Sequence, residues 1–544
     1  MNQTKEPAVL DIAGLQIDLP IGADRPHAVA NLDLRIRRGE MVCLVGESGS
    51  GKSLTAMATM GLLPRVLQRG VRGTISLAGR DLLNITPQER RQIVGRDVSM
   101  IFQEPMTALH PVVNVGAQIE EVLKIHRPQL GAGERREQVL AALQAVQLPS
   151  PEQISRAYPH ELSGGQRQRV MIAMALILDP MLLIADEPTT ALDVTTQAEI
   201  LRLIKDLQVR RGTGVLFITH DIGVVRDIAD HVVVMQHGQV VEQGSAEAVL
   251  GNPQQDYTRA LINAIPELGS VRAEPKELGP VLVRMTDLRK SFSRRKGLFR
   301  QERFDAVGGV DLTLRRGEVL SVVGESGSGK STLARCLAGL TAPSDGQIVV
   351  GGDAPQGAGS RRHGQRVQMV FQDPNRSLNP RRKVGESIIE GPMNFGTSRK
   401  EAMARAAELM ELVGLRPDSL DRFPYQFSGG QRQRICIARA LALQPEVLIA
   451  DEAVSALDAT VQQQVVRLLD DIRRRLDLSI LFITHDLRVA AQISDTIVVM
   501  QRGRIAEAGS VAAVLGSPQS DYTKRLLAAV PGQKHSFTEI EAND

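Results

Sequence analysis

The nine residues VGESGSGKS stand at 45–53 and again, letter for letter, at 323–331. Each copy contains GxxxxGKS and follows a short apolar run, EMVCL in one case and EVLSV in the other. No other stretch constrains the backbone as strongly. The glycines let successive peptide N–H groups turn inward, a helix opens at the lysine, and its N-terminal partial charge favours a phosphate chain. In this context Lys52 and Lys330 would reach the β- and γ-phosphates, and Ser53 and Ser331 would ligate Mg2+. The loop residues Gly46, Glu47, Ser48, Gly49, Ser50 and Gly51, with Gly324, Glu325, Ser326, Gly327, Ser328 and Gly329, would cradle the nucleotide.

The repetition extends well beyond the loop. SGGQRQR starts at Ser163 and Ser428, ITHD places His220 and His485, DYT places Tyr257 and Tyr522, and ADE occupies 185–187 and 450–452; each pair is 265 residues apart. A constant offset over such a distance means two copies of one domain. Gly46 and Gly324 are 278 apart, so the surplus of 13 (278 − 265) falls between the P-loop and SGGQ, and the first copy carries extra residues there. A chain of 544 residues is too long for one ordinary core. The expected organisation is a first domain over 1–268, a linker over 269–280, a second domain over 281–532 and a polar tail over 533–544. The linker, GSVRAEPKELGP, is polar with prolines and glycines, and too short to be a module itself.

Within each copy, runs such as EMVCLVG, MLLIAD and GVLFITH are short, apolar and rich in branched residues, as strands buried on both faces are. Helical patterns such as QAEILRLIKDLQVRR lie between them, which predicts an α/β core with a mainly parallel sheet. VMIAMALILDPMLLIAD at 170–186 is interrupted by Asp179-Pro180 and reads as a buried helix followed by a buried strand. No segment approaches the roughly 20 apolar residues that span a bilayer, and the N-terminus lacks a signal-peptide pattern, so any membrane role comes through a partner. A net charge of +3 with mixed signs argues against nucleic acid. Cys43, Cys336 and Cys436 are scattered in apolar contexts, which argues against a zinc or iron–sulfur site and favours the cytoplasm.

Two further motifs bear chemistry. LLIADEP at 182–188 and VLIADEA at 447–453 are apolar strands ending in Asp-Glu. Beside a P-loop, Asp186 and Asp451 would hold Mg2+ through water, and Glu187 and Glu452 would polarise the attacking water. His220 and His485 end the strands VLFIT and ILFIT. A lone histidine there is usually structural; recurring at one offset from Asp-Glu, each reads as a γ-phosphate contact that senses hydrolysis.

P-loop, Asp-Glu strand and LSGGQRQR together resemble the ATP-binding-cassette (ABC) family over nearly the whole chain. The family's signature corresponds to Leu162, Ser163, Gly164, Gly165 and Gln166, and in the second copy to Phe427, Ser428, Gly429, Gly430 and Gln431, a departure at the first position. The resemblance implies two tandem P-loop NTPase domains, each with an antiparallel β subdomain and a helical signature subdomain. It also implies that each P-loop faces the other copy's signature, giving two composite ATP sites packed head to tail. Gln103 in MIFQEP and Gln372 in MVFQDP match the family's Q-loop, which reaches metal and water and moves with a transmembrane partner. Asp193 and Asp458 match the loop that crosses the domain interface. Family members stack an aromatic ring on adenine before the P-loop; Phe292, Phe299 and Phe304 are available in the second copy, and His27 is the planar candidate in the first.

FQEPMTALHP and FQDPNRSLNP look like the extended Q-loops of peptide-importer ATPases. The tails NPQQDYTRALINAIP (252–266) and SPQSDYTKRLLAAVP (517–531) resemble the C-terminal segment of oligopeptide, dipeptide, nickel and glutathione importers. The resemblance thus implies a fused ATPase subunit of a peptide-class importer. It would use ATP and Mg2+ on the cytoplasmic face of the inner membrane, with two permease subunits and, indirectly, an extracytoplasmic solute-binding protein. The alternatives are a non-peptide importer (nickel, glutathione or sugar) or a soluble double cassette acting on ribosomes or DNA. Against the latter stand a linker of about twelve residues and the absence of zinc cysteines.

Overall fold

A computed structural model describes residues 8–189, 192–264, 278–296, 300–352, 360–455 and 457–532. Residues 269–277 of the expected linker, the polar tail 533–544 and Phe299 lie outside the described residues. The chain divides into two compact units.

In the first unit, a six-stranded sheet runs in the order Gln239–Ser245, His231–Gln236, Met41–Val45, Gly214–Thr219, Leu182–Asp186, Val98–Ile101. Its neighbours pair in parallel except for the antiparallel hairpin of the first two. The P-loop strand Met41–Val45 and the Asp-Glu strand Leu182–Asp186 are buried at all five positions, as unbroken apolar runs in a sheet covered on both faces must be. A separate antiparallel sheet holds His27–Arg37, Ala8–Asp18, Val71–Leu77 and Arg80–Asp81. A helical subdomain comprises Val115–His126, Ala132–Ala145, Pro151–Arg156 and the signature helix Gly164–Leu176. The expected helix-then-strand break is present: Asp179 takes φ 55 and the strand resumes at Leu182.

The second unit repeats the plan. Its six-stranded sheet orders Val367–Val370, Val447–Asp451, Ser479–Ile483, Val319–Val323, Thr496–Gln501 and Arg504–Ser510, again with one antiparallel hairpin. An antiparallel sheet carries Arg300–Arg315, Val281–Lys296 and Asp345–Val350, and the helical subdomain holds Val384–Asn394, Arg399–Leu412 and Gly429–Leu441. Phe217 and Phe482, at matching positions of the two sheets, are among the largest fully buried side chains. Part of the surplus in the first copy is the short helix Arg65–Gln68 and the strand Arg80–Asp81, which have no counterpart among the described residues of the second.

Cys43, Cys336 and Cys436 are free and buried, and burial pushes the Cys436 thiol up to about 11. Among the described residues no helix is long and apolar enough to cross a membrane.

Candidate functional site

Each P-loop leaves the end of a central strand and turns into a helix, Lys52–Met60 in one unit and Lys330–Leu337 in the other. Gly46 and Gly51 sit at φ 149 and 104, and Gly324 and Gly329 at 148 and 105. A Cβ at Gly46 would collide with the Met235 carbonyl oxygen, and one at Gly324 with that of Met500. The loop therefore needs glycine both for its backbone angles and for its seat on the neighbouring strand. Ser50 and Ser328 are buried within the loop, whereas Ser48, Gly49, Ser326 and Gly327 are exposed at its tip. The lysine ammonium is buried under this arch. Lys52 Nζ donates to the carbonyls of Gly46 (2.7 Å) and Glu47 (2.8 Å), and Lys330 to those of Gly324 and Glu325 (both 2.7 Å). A cation folded onto carbonyl oxygens beneath a glycine arch is matched in charge and size to a phosphate chain. Burial lowers the Lys330 pKa, although Glu452 beside it works the other way.

The Asp-Glu carboxylates converge on the same place. Ser53 Oγ donates to Asp186 Oδ1 at 3.0 Å, and Ser331 Oγ to Asp451 Oδ1 at 2.9 Å. Burial pushes Asp186 up to about 6 and raises Asp451, against the pull of these serine bonds. A hydroxyl and a buried carboxylate are hard oxygen donors, the type of ligand that would suit Mg2+. Glu187 and Glu452 adopt φ 46 and 48, in the left-handed region. Gln103 Nε2 donates to Glu187 Oε2 at 2.9 Å and Gln372 Nε2 to Glu452 Oε2 at 2.8 Å. His220 Nδ1 lies 3.2 Å from Glu187 Oε1, and His485 Nδ1 lies 3.7 Å from Glu452 Oε1. Burial disfavours the imidazolium, but the glutamate overrides it and both histidines end with raised pKa values. Conversely, burial would raise Glu452, yet His485 holds it low. Lysine, serine, aspartate, glutamate, glutamine and histidine, scattered over more than a hundred residues, thus meet at the C-terminal ends of the sheet strands in each unit.

Ser163 and Ser428 do not belong to that cluster within their own unit. Each is the N-cap of its signature helix and forms a reciprocal capping box with Gln166 or Gln431. Gly165 and Gly430 pack closely on the next helix: a Cβ at Gly430 would run into Val461 Cγ1. Gly164 and Gly429 have nothing within 4 Å of such a Cβ, so their own unit does not require glycine. Asp458, expected in the interface loop, caps the helix Ala459–Leu476 by accepting from Val461 N at 3.0 Å.

The family model for ABC transporters matches residues 29–190 and 307–455, more than half of the chain. The chain belongs to the ABC transporter family. As such it is an ATP-binding and ATP-hydrolysing protein, and its two α/β units are cassettes. A model described as the C-terminal region of oligopeptide/dipeptide transporters matches 241–294, across the first tail. The cassettes are 45% identical over 562 residues to a glutathione import ATP-binding protein, GsiA, of Salmonella typhimurium (96% of this chain, 89% of that protein). They are 46% identical over 536 residues to a peptidoglycan transport ATP-binding protein, YejF, of Agrobacterium fabrum (97% of each). A solved dimeric ATP-binding cassette, MJ0796 bound to ADP and Pi, covers 44% of this chain and 98% of its own at 28% identity, with TM-score 0.40.

Two cassette residues that sequence reasoning did not place at the site reach it. Tyr257 and Tyr522, in the tail helices Asp256–Asn263 and Asp521–Ala528, accept from the backbone N–H of Glu47 and Glu325, each at 3.1 Å. The signal was the DYT repeat at the common offset, legible as duplication and silent about the contact. The ring candidates before the P-loop differ between cassettes. Phe292 and Phe304 are cross-strand partners with exposed rings, and the Lys290 ammonium sits 5.1 Å over the Phe292 ring. His27 is tied through Nδ1 to Asp18 Oδ1 at 2.8 Å.

Proposed function

We propose that the chain is the fused ATPase subunit of an importer for peptides or related small solutes, working at the cytoplasmic face of the inner membrane. Its partners would be two integral membrane permeases and, through them, an extracytoplasmic solute-binding protein. The observation that carries this reading is a complete set of nucleotide-site residues in both units beside the oligopeptide-transporter C-terminal match at 241–294. The names of GsiA and YejF support the peptide class, one concerning glutathione and the other peptidoglycan.

Domain limits at 1–268 and 281–532, joined by 269–280, fit this reading. In each site the P-loop amides and Lys52 or Lys330 would grip the phosphates. Ser53 with Asp186, and Ser331 with Asp451, would hold Mg2+, aided by Gln103 and Gln372. Mg2+ would neutralise charge that develops on the transferred phosphoryl group. Glu452, held low by His485, and Glu187, bonded to His220, would orient the attacking water and draw on its proton. Ser163 to Gln166 and Ser428 to Gln431 would complete the opposing cassette's site. Exposed apolar side chains Leu62, Met106, Val112 and Ile125 in the first unit, and Leu340, Phe371 and Met393 in the second, are suited to a permease surface.

The test is reconstitution. Co-expressed with the permeases encoded beside it, the chain should co-purify with them, and its ATPase should rise with a peptide-loaded binding protein in proteoliposomes. ATPase that ignores the permeases, or that responds to ribosomes or DNA, defeats the proposal.

A further inference from the structure

In each unit a tyrosine hydroxyl of the tail helix meets the P-loop. Glu47, the second P-loop residue, is held on two sides: its carbonyl accepts from Lys52 Nζ at 2.8 Å, and its N–H donates to Tyr257 Oη at 3.1 Å. In the second cassette Glu325 stands between Lys330 (2.7 Å) and Tyr522 (3.1 Å) in the same way. We propose that Tyr257 and Tyr522 are positioning residues of the two ATP sites, and that the importer-type tail serves to hold the P-loop in its nucleotide-binding shape. The inference rests on the reading that these loops hold ATP.

Three observations carry it. First, the lysine has three N–H donors and spends two of them on loop carbonyls, so any donor it turns to the phosphates is drawn from its hold on the loop. The phenol bond does not depend on the lysine. Second, the phenol is delivered by a clamp built twice. Glu242 accepts from the N–H groups of Gln254 (2.8 Å) and Gln255 (3.2 Å), and Glu507 from those of Gln519 (2.8 Å) and Ser520 (3.1 Å). Each clamp fixes the chain just ahead of the helix whose second residue is the tyrosine. Third, both rings are seated in their unit's core, Tyr522 with 5% exposure and Tyr257 packed against the main cluster. The hydroxyl is therefore aimed by packing and is not left to rotate in solvent. Burial keeps the Tyr522 phenol neutral, pushed up to about 12.

Removing the hydroxyl while keeping the ring separates positioning from packing. The full-length chain with Tyr257→Phe and Tyr522→Phe combined should show a KM for Mg-ATP raised about 2- to 10-fold, the range of one net hydrogen bond, with kcat within about 2-fold. The nucleotide-free Tm should fall by no more than about 5 °C, since the phenyl rings still pack and only the hydroxyl bonds are lost. Glu242→Gln with Glu507→Gln, which loosens the clamp and leaves the phenols, should raise KM in the same direction. Lys52→Ala with Lys330→Ala is the separate check on the sites: ATPase that survives it defeats the site assignment whatever the tyrosines do. If the lysine pair abolishes ATPase, an unchanged KM in the Phe variant, or a KM shift matched by a large fall in nucleotide-free Tm, overturns the positioning role.

Discussion

Asp186 and Glu187 are neighbours in sequence with different surroundings. Asp186 ends a buried strand, is touched by Ser53 and has its carboxyl pushed up to about 6, whereas Glu187, at φ 46, has its carboxylate bonded to His220 and Gln103. The environment thus separates a metal-ligand candidate from a water-orienting one. Glu187→Gln or Glu452→Gln should keep ATP binding and lower hydrolysis at least about 100-fold, the scale of lost general-base assistance; wild-type turnover in either variant would remove that residue from the chemistry. The aspartate gives a pH prediction. A carboxyl raised from 3.8 to about 6 binds its proton more tightly in the folded state, so metal-free stability falls as pH rises through that window and stays lower above it. Asp186→Asn should remove this loss and stabilise the metal-free protein at neutral pH by on the order of 1 to 3 kcal/mol. Thermal melts in chelator at pH values spanning the window test it, and a variant melting below wild type at neutral pH would contradict it.

At the scale of elements, the first turn of each signature helix sets two adjacent glycines different tasks. Gly430 is where another helix needs room, so Gly430→Ala should cost about 1–3 kcal/mol by overpacking against Val461. Gly429 meets nothing in its own unit, and alanine favours a helix, so Gly429→Ala should leave the Tm within a few degrees or raise it. If this turn closes on the opposing cassette's phosphates, the same variant should nevertheless lower ATPase several-fold. Equal thermal effects at both positions, or full activity in Gly429→Ala, would show that the second task was misread.

At the scale of the whole molecule, head-to-tail pairing predicts which double changes share a site. On a Glu187→Gln, Glu452→Gln background that traps the closed state, Lys52→Ala with Ser428→Arg should damage one composite site. Lys52→Ala with Ser163→Arg should damage both. Each lysine change removes a charge from the phosphates, and each arginine blocks the close approach at a helix N-terminus. The first pair should occlude about one nucleotide per chain, or fewer if closure needs both sites, and the second almost none. If the second occludes as much as the first, each cassette completes its own site.

The repeat itself, the 265-residue offset, the P-loop and the Asp-Glu strand ends were legible from residues alone. Each depends on local rules: glycine angles, apolar runs that only a doubly covered sheet accepts, and a helix opening at a lysine. The family follows from those same letters, because motif identity is itself a sequence property. Tertiary structure decided what no local rule encodes. It brought Ser53 to Asp186 across 133 residues and Gln103 to Glu187 across 84. It set the opposed shifts of Glu452 and His485, which depend on burial and on the partner a side chain meets. It also placed Tyr257 on a backbone N–H 210 residues away. A contact between strands and helices remote in sequence is fixed by sheet order and packing, and a tyrosine in a tail looks the same in sequence whether its hydroxyl meets water or a P-loop.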